Sequence, residues 1–169
     1  PTKCTRTRDF PQGDGTQPHE VAGNITFAIA LWIVWLCVKH GVFFSLEHPR
    51  GAKSWILALI TYLFTLGDVY QVPWDSCAWG HRPNHWLPVH GDVRVYGPTV
   101  LLTNNPDLCV LQRSCANESN HKHERAEGRT EDGVPRTELK GRYPEPLCRA
   151  YAAALRTGWT RNHRAKAHP

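Results

Sequence analysis

Apolar residues along this chain gather in a few dense runs separated by polar, turn-rich stretches. Ile25–Val38 holds no charged residue and is apolar around the whole of a helix, the pattern of a buried or membrane-embedded segment. Asn24 is placed to cap its start, and Lys39, His40 and Gly41 supply a basic last turn and a terminating glycine. Val42–Leu46 is short and apolar, suited to a central strand buried on both faces, and a second helix is expected over about Ala52–Leu66. Val69–Trp74 reads as a strand in which Pro73 demands a sheet edge or a strand end. Thr99–Thr103 reads as another strand, and a helix is expected from Pro106, behind Asn105, to about Ser114. Pro144 opens a last helix whose apolar stripe is Leu147, Ala150, Tyr151, Ala154 and Leu155, with Gly158 as its stop. Helices alternating with short strands in this order predict a layered α/β domain.

The stretch that organises the middle of the chain is Val42–Trp55. Its strand runs into Glu47 and His48, and then Pro49, Arg50 and Gly51 break it. Ligands of open α/β sheets bind outside the carboxyl ends of the strands. A carboxylate at Glu47 can accept hydrogen bonds from a polar substrate there, and Arg50 can meet an anion. A solvated strand–turn junction accounts for the same residues without a ligand.

The ends of the chain carry little to bury. Segment 1–23 is polar and is expected to be disordered, without the pattern of a signal peptide. Segment 112–142 has seven basic and six acidic residues and reads as a flexible, solvated loop, and 157–169 reads as a disordered basic tail. The net charge of +5 favours polyanionic partners. Six cysteines lie far apart with no C-x-x-C pair, so a reducing, intracellular compartment is expected. The chain begins with Pro1 and lacks methionine, which points to an excerpt or a processed product.

Two further chemistries are open. Cys109, Cys115, His121 and His123 form C-x5-C-x5-H-x-H, suitable zinc ligands whose spacing matches standard structural sites poorly, so His121 and His123 are expected to be solvated in the loop and no metal site is assigned. Cys77 with His81, His85 and His90 is a second set. The uncharged run Ile25–Val38 is 14 residues, about 21 Å as a helix, and Trp55–Leu66 is 12. A spanning helix wants about 20 apolar residues, so a membrane hairpin is the weaker alternative.

Four separated stretches also line up with one family. Phe44–Trp55 (FSLEHPRGAKSW), Asp75–Gly80 (DSCAWG), Gly97–Asn104 (GPTVLLTN) and Tyr143–Cys148 (YPEPLC) resemble, in that order, motifs of the second half of cytosine-5 DNA methyltransferases, most closely the divergent phage and mobile-element versions. The resemblance covers about Asn24–Arg156, so it implies a partial Rossmann-like methyltransferase layer over 24–156, a short sheet flanked by helices, with disordered ends. It gives Glu47 the role of the catalytic carboxylate that holds the cytosine ring by its polar edge. His48 stands where the family has asparagine. Substrate contacts are implied for His48 and Arg50, and contacts to the DNA backbone for Arg82 and Arg94. The glycine-rich loop for S-adenosylmethionine and the Pro-Cys nucleophile loop belong to the family's first half. This chain alone is therefore expected to bind DNA weakly through phosphates, to need that other half as a partner, and to hold no cofactor by itself.

Overall fold

The computed structural model describes residues 4–82, 92–116, 121–125, 129 and 143–167, with the backbone alone at 124–125 and 162–167. It is a mixed α/β structure that divides into two units, Pro1–Gln71 with Leu101–Pro106, and Val72–Val100 with Asp107–Pro169. The elements in chain order are α1 (Pro18–Lys39), β1 (Ser45–Pro49), α2 (Ala58–Thr65), β2 (Tyr70–Asp75), β3 (Val93–Tyr96), β4 (Pro98–Thr103), β5 (Lys122–Arg125) and α3 (Glu145–Ala167). Short 3₁₀ turns occupy Lys53–Ile56, Ser76–Trp79 and Pro106–Leu111. Three strands pair in the order β1-β4-β2, and β3 pairs with β5 in a separate two-stranded sheet.

The core of the first unit joins Leu31 and Val34 of α1 to Phe44, Ile60 and Leu63 of the following segment and Leu102 of β4. Helix α1 begins at Pro18, seven residues before the expected Ile25, because a proline suits a first helical position. Asn24 therefore lies inside the helix. Its side chain accepts a hydrogen bond from Arg6 Nη2 at 2.8 Å and donates one to the Gln12 carbonyl at 2.7 Å. Thr5 and Arg6 donate from their backbone to the buried Glu20 carboxylate, so part of the segment expected to be disordered is tied to the helix. Gly41, at φ +63°, ends α1 as expected, with Val42 N–H returning to the Cys37 carbonyl at 2.8 Å.

The strand expected at Val42–Leu46 lies three residues later and at an edge rather than the centre of its sheet. The physical reason is that side chains already satisfy the backbone before it. Asn104 Oδ1 accepts from Phe44 N–H at 2.9 Å, Asn104 Nδ2 donates to the Val42 carbonyl at 2.9 Å, and Thr103 Oγ1 donates to the Phe44 carbonyl at 2.6 Å. The continuously buried strand is β4, where every residue from Thr99 to Thr103 is withdrawn from solvent. Pro73 does sit on an edge strand, β2, as its missing N–H requires.

The helix expected over Ala52–Leu66 is interrupted at Leu57, whose extended backbone (ψ 136°) separates a 3₁₀ turn from α2. The helix expected from Pro106 is only a 3₁₀ turn ending at Leu111. Helix α3 runs through the buried Gly158 to Ala167 instead of stopping there. Thr157 and Thr160 each return a hydroxyl to the carbonyl four residues back, and Arg161 forms an ion pair with Asp107, which carries the helix past the glycine. Most of the expected loop 112–142 falls outside the described residues, but Lys122–Arg125 within it is a strand.

At 22 residues, α1 is long and apolar enough by length and composition to cross a membrane. Leu31 and Val34 pack into the core, while Ile25, Ile29, Trp32 and Ile33 are each more than half exposed.

Replacing Asn104 by Ala should destabilise the protein by about 1–3 kcal/mol, since it strips partners from two backbone groups at once. Urea unfolding measures this. A loss below about 0.5 kcal/mol would show that water replaces the amide at no cost.

Candidate functional site

The second unit gathers four metal-ligating side chains. Cys77 lies in the 3₁₀ turn after β2, Cys115 follows an isolated parallel bridge between Trp74 and Arg113, His121 immediately precedes β5 and His123 lies within it. The turn carrying Cys77 closes because Gly80 takes a left-handed conformation (φ +76°), which lets its N–H reach the Cys77 carbonyl at 3.0 Å. The two histidines stand two residues apart, so alternation along the chain sends both to one side.

The ligand atoms of the four residues all lie within 4.8 Å of one another. Cys115 Sγ is 3.6 Å from His121 Nε2 and 3.3 Å from His123 Nε2, and the two Nε2 atoms are 3.0 Å apart. Zinc bonds of about 2.0–2.3 Å in tetrahedral geometry put neighbouring ligand atoms about 3.3–3.8 Å apart. The three distances among Cys115, His121 and His123 fall near those edge lengths, and Cys77 Sγ lies within 4.8 Å of the other ligand atoms. Cys77 is buried, Cys115 and His121 are half-buried and His123 is exposed.

Without a cation the cluster suits neutral groups. Burial pushes the Cys77 thiol up to about 12, and the adjacent Cys115 adds to the shift. Burial, then the charges of Arg94 and His123, hold His121 below the usual imidazole value. A coordinated divalent ion reverses this logic for the thiols, which it deprotonates outright.

The first unit holds a different site, a cavity of about 620 Å³ whose walls include Arg6, Asn24, Phe27, Glu47, His48 and Ser54 among apolar neighbours. His48 Nε2 lies 2.5 Å from the buried Ser54 Oγ, and its ring packs 4.7 Å from Phe27 and 5.6 Å from Trp55. Burial first, and the Arg6 charge second, lower the His48 pKa. Glu47 is exposed on the edge strand.

Compared with known proteins, the chain matches no family model, no curated protein and no solved structure.

The residues expected to act together fall into different surroundings. Glu47, His48 and Arg50 belong to the first unit, where Glu47 and His48 line the cavity and Arg50 is exposed. Arg82 and Arg94 belong to the second unit, and both are engaged by one carboxylate. Arg94 donates from Nε and Nη2 to Asp92 Oδ2 at 3.0 and 2.6 Å, and Arg82 Nη2 lies 3.3 Å from Asp92 Oδ1. Arg94 is thus engaged by Asp92, whereas the Arg82 side chain stays 70% exposed. Among the zinc ligands read from the sequence, Cys115, His121 and His123 converge, but Cys109 is exposed on the Pro106–Leu111 turn and Cys77 takes its place. His81 is buried outside the cluster, and His85 and His90 lie outside the described residues. Cys77 carried a signal, as a ligand in the second of the two sets, but nothing in its spacing joined it to Cys115.

The His48 shift fixes a pH dependence. An unfolded histidine titrates near 6.5, and the folded one titrates lower, so below about pH 6.5 only the unfolded chain takes up the proton. Stability contributed by neutral His48 is full above about pH 6.5 and falls as the pH drops toward the folded value. Unfolding midpoints from pH 8 to 5 should fall less in His48→Gln than in the wild type. Parallel curves would remove His48 as the cause.

Proposed function

We propose that the second unit is a zinc-binding module in which Cys77, Cys115, His121 and His123 hold one structural ion. The observation that carries this reading is the convergence of four ligand atoms to within 4.8 Å of one another, three of them at 3.0–3.6 Å. Four protein ligands leave no open position for water or substrate, so the ion supplies folding energy and not chemistry. The arrangement has a clear structural use, because β3 and β5 form only a four-residue parallel pair. Two-stranded pairs are marginal in water without further support. An ion that ligates the residues opening β5 and the turn at Cys77 provides that support.

Purified protein should carry one equivalent of zinc by elemental analysis. Cys115→Ser and His123→Ala should each weaken zinc binding at least tenfold, while Cys109→Ser leaves it unchanged. A stoichiometry near zero after refolding with zinc would refute the reading, as would equal loss in Cys109→Ser.

A second reading keeps the resemblance to cytosine-5 DNA methyltransferases, with the β1-β4-β2 sheet as part of a Rossmann-like layer and Glu47 as the carboxylate facing a base. What favours it is that Glu47 and His48, adjacent on β1, line one sizeable cavity beside Phe27. S-adenosylmethionine and the cysteine nucleophile then come from another half of the protein. DNA binding by this chain should be weak and should fall steeply between 50 and 200 mM salt, with Arg82→Ala reducing the salt slope by about one. Absence of binding at low salt would count against this reading and leave the zinc module untouched.

A further inference from the structure

We propose that Arg94 and Asp75 are positioning residues of the metal site, each holding the backbone of one thiol ligand. This inference rests on the zinc reading above. It concerns how the ligands are kept in place before an ion arrives.

Arg94 serves the Cys77 side. Its Nη1 donates to the Cys77 carbonyl at 3.0 Å, while the other edge of the same guanidinium grips Asp92 Oδ2. Asp92 in turn accepts from Lys122 N–H through its backbone carbonyl at 2.9 Å, at the residue between the two histidine ligands. In the β3–β5 register Arg94 stands directly across from His123. One planar fork thus ties the turn that carries Cys77 to the strand that carries the histidines. A guanidinium has donors in fixed directions on both edges, which a lysine ammonium lacks. The pair is mostly withdrawn from water, with side-chain exposures of 27% for Arg94 and 29% for Asp92.

Asp75 serves the Cys115 side. It is buried, and its Oδ2 accepts from Cys115 N–H at 2.9 Å. The surrounding backbone runs the same way, since Asp75 N–H donates to the Arg113 carbonyl at 2.9 Å. A carboxylate two residues before one thiol therefore fixes the main chain of the other. Hydrogen bonds to ligand segments limit the disorder that metal binding has to remove, and outer partners of this kind typically change affinity about 10–100-fold.

A contact to DNA backbone and a positioning role separate cleanly for Arg94. A phosphate-facing arginine affects salt-dependent DNA binding and leaves metal affinity alone. A positioning arginine does the reverse.

The test is zinc affinity of the full chain by chelator competition, together with the absorption spectrum of the cobalt(II)-substituted protein. Arg94→Ala and Asp75→Ala should each weaken zinc binding about 10–100-fold and shift or broaden the cobalt bands. Asp75→Asn, which keeps an acceptor oxygen, should recover part of the loss. Arg94→Lys, which keeps charge without the fork, should recover little. Arg149→Ala, on the exposed face of α3, is the control and should match the wild type. If the wild type binds zinc and Arg94→Ala and Asp75→Ala bind it equally well with unaltered cobalt spectra, the positioning role is wrong and the zinc module stands. A wild type that binds no metal overturns both. Should an alanine variant fail to fold, the asparagine and lysine variants carry the same comparison.

Discussion

Four side chains from three separate stretches come within 4.8 Å of one another, so the backbone under each is confined. In the second unit this confinement rests on the guanidinium of Arg94. It spans from the Cys77 carbonyl to Asp92, whose own carbonyl receives the N–H of Lys122 between the two histidines. The two-stranded sheet is too short to hold that arrangement by its ladder alone. Its four residue pairs place His123 across from Arg94, and the fork joins Arg94 to the turn that carries Cys77.

The first unit meets a related problem with different groups. The backbone just before β1 has no ladder partner, and amide and hydroxyl side chains at the end of β4 take over that work. Asn104 and Thr103 satisfy Val42 and Phe44, and in doing so they shift the strand toward Glu47 and His48. That places Glu47 and His48 on the wall of a cavity, where burial and the nearby Arg6 lower the imidazole pKa. Apolar packing holds this unit together; polar side chains decide where its strand begins.

The two units therefore differ in kind. One has a continuous apolar core and an accessible cavity. The other has a smaller sheet and a compact group of soft and imidazole ligands. The metal centre proposed for the second accounts for an ordered strand in a segment so rich in charge, since Lys122–Arg125 offers no apolar face comparable to that of β4.

Local chemistry determined a good part of this. The apolar run before Lys39, the terminating Gly41, the buried strand ending at Thr103, the edge position demanded by Pro73 and the proline at the head of α3 are all written in short windows, because caps, prolines and side-chain periodicity act over a few residues. The ligand types were legible too, but Cys115, His121 and His123 stood at a spacing that matches standard zinc sites poorly, so the sequence argued against them. Tertiary structure alone decided the fourth ligand, since Cys77 is 38 residues from Cys115 in sequence and no periodicity spans that gap. It also decided the fate of Arg94, which looks like any exposed cation until its register places it across from His123 and beside Asp92. The start of β1 belongs to the same class. Whether Val42–Phe44 pairs in a sheet depends on side chains 60 residues away in sequence, and hydrogen-bond competition of that range leaves no mark in the local pattern.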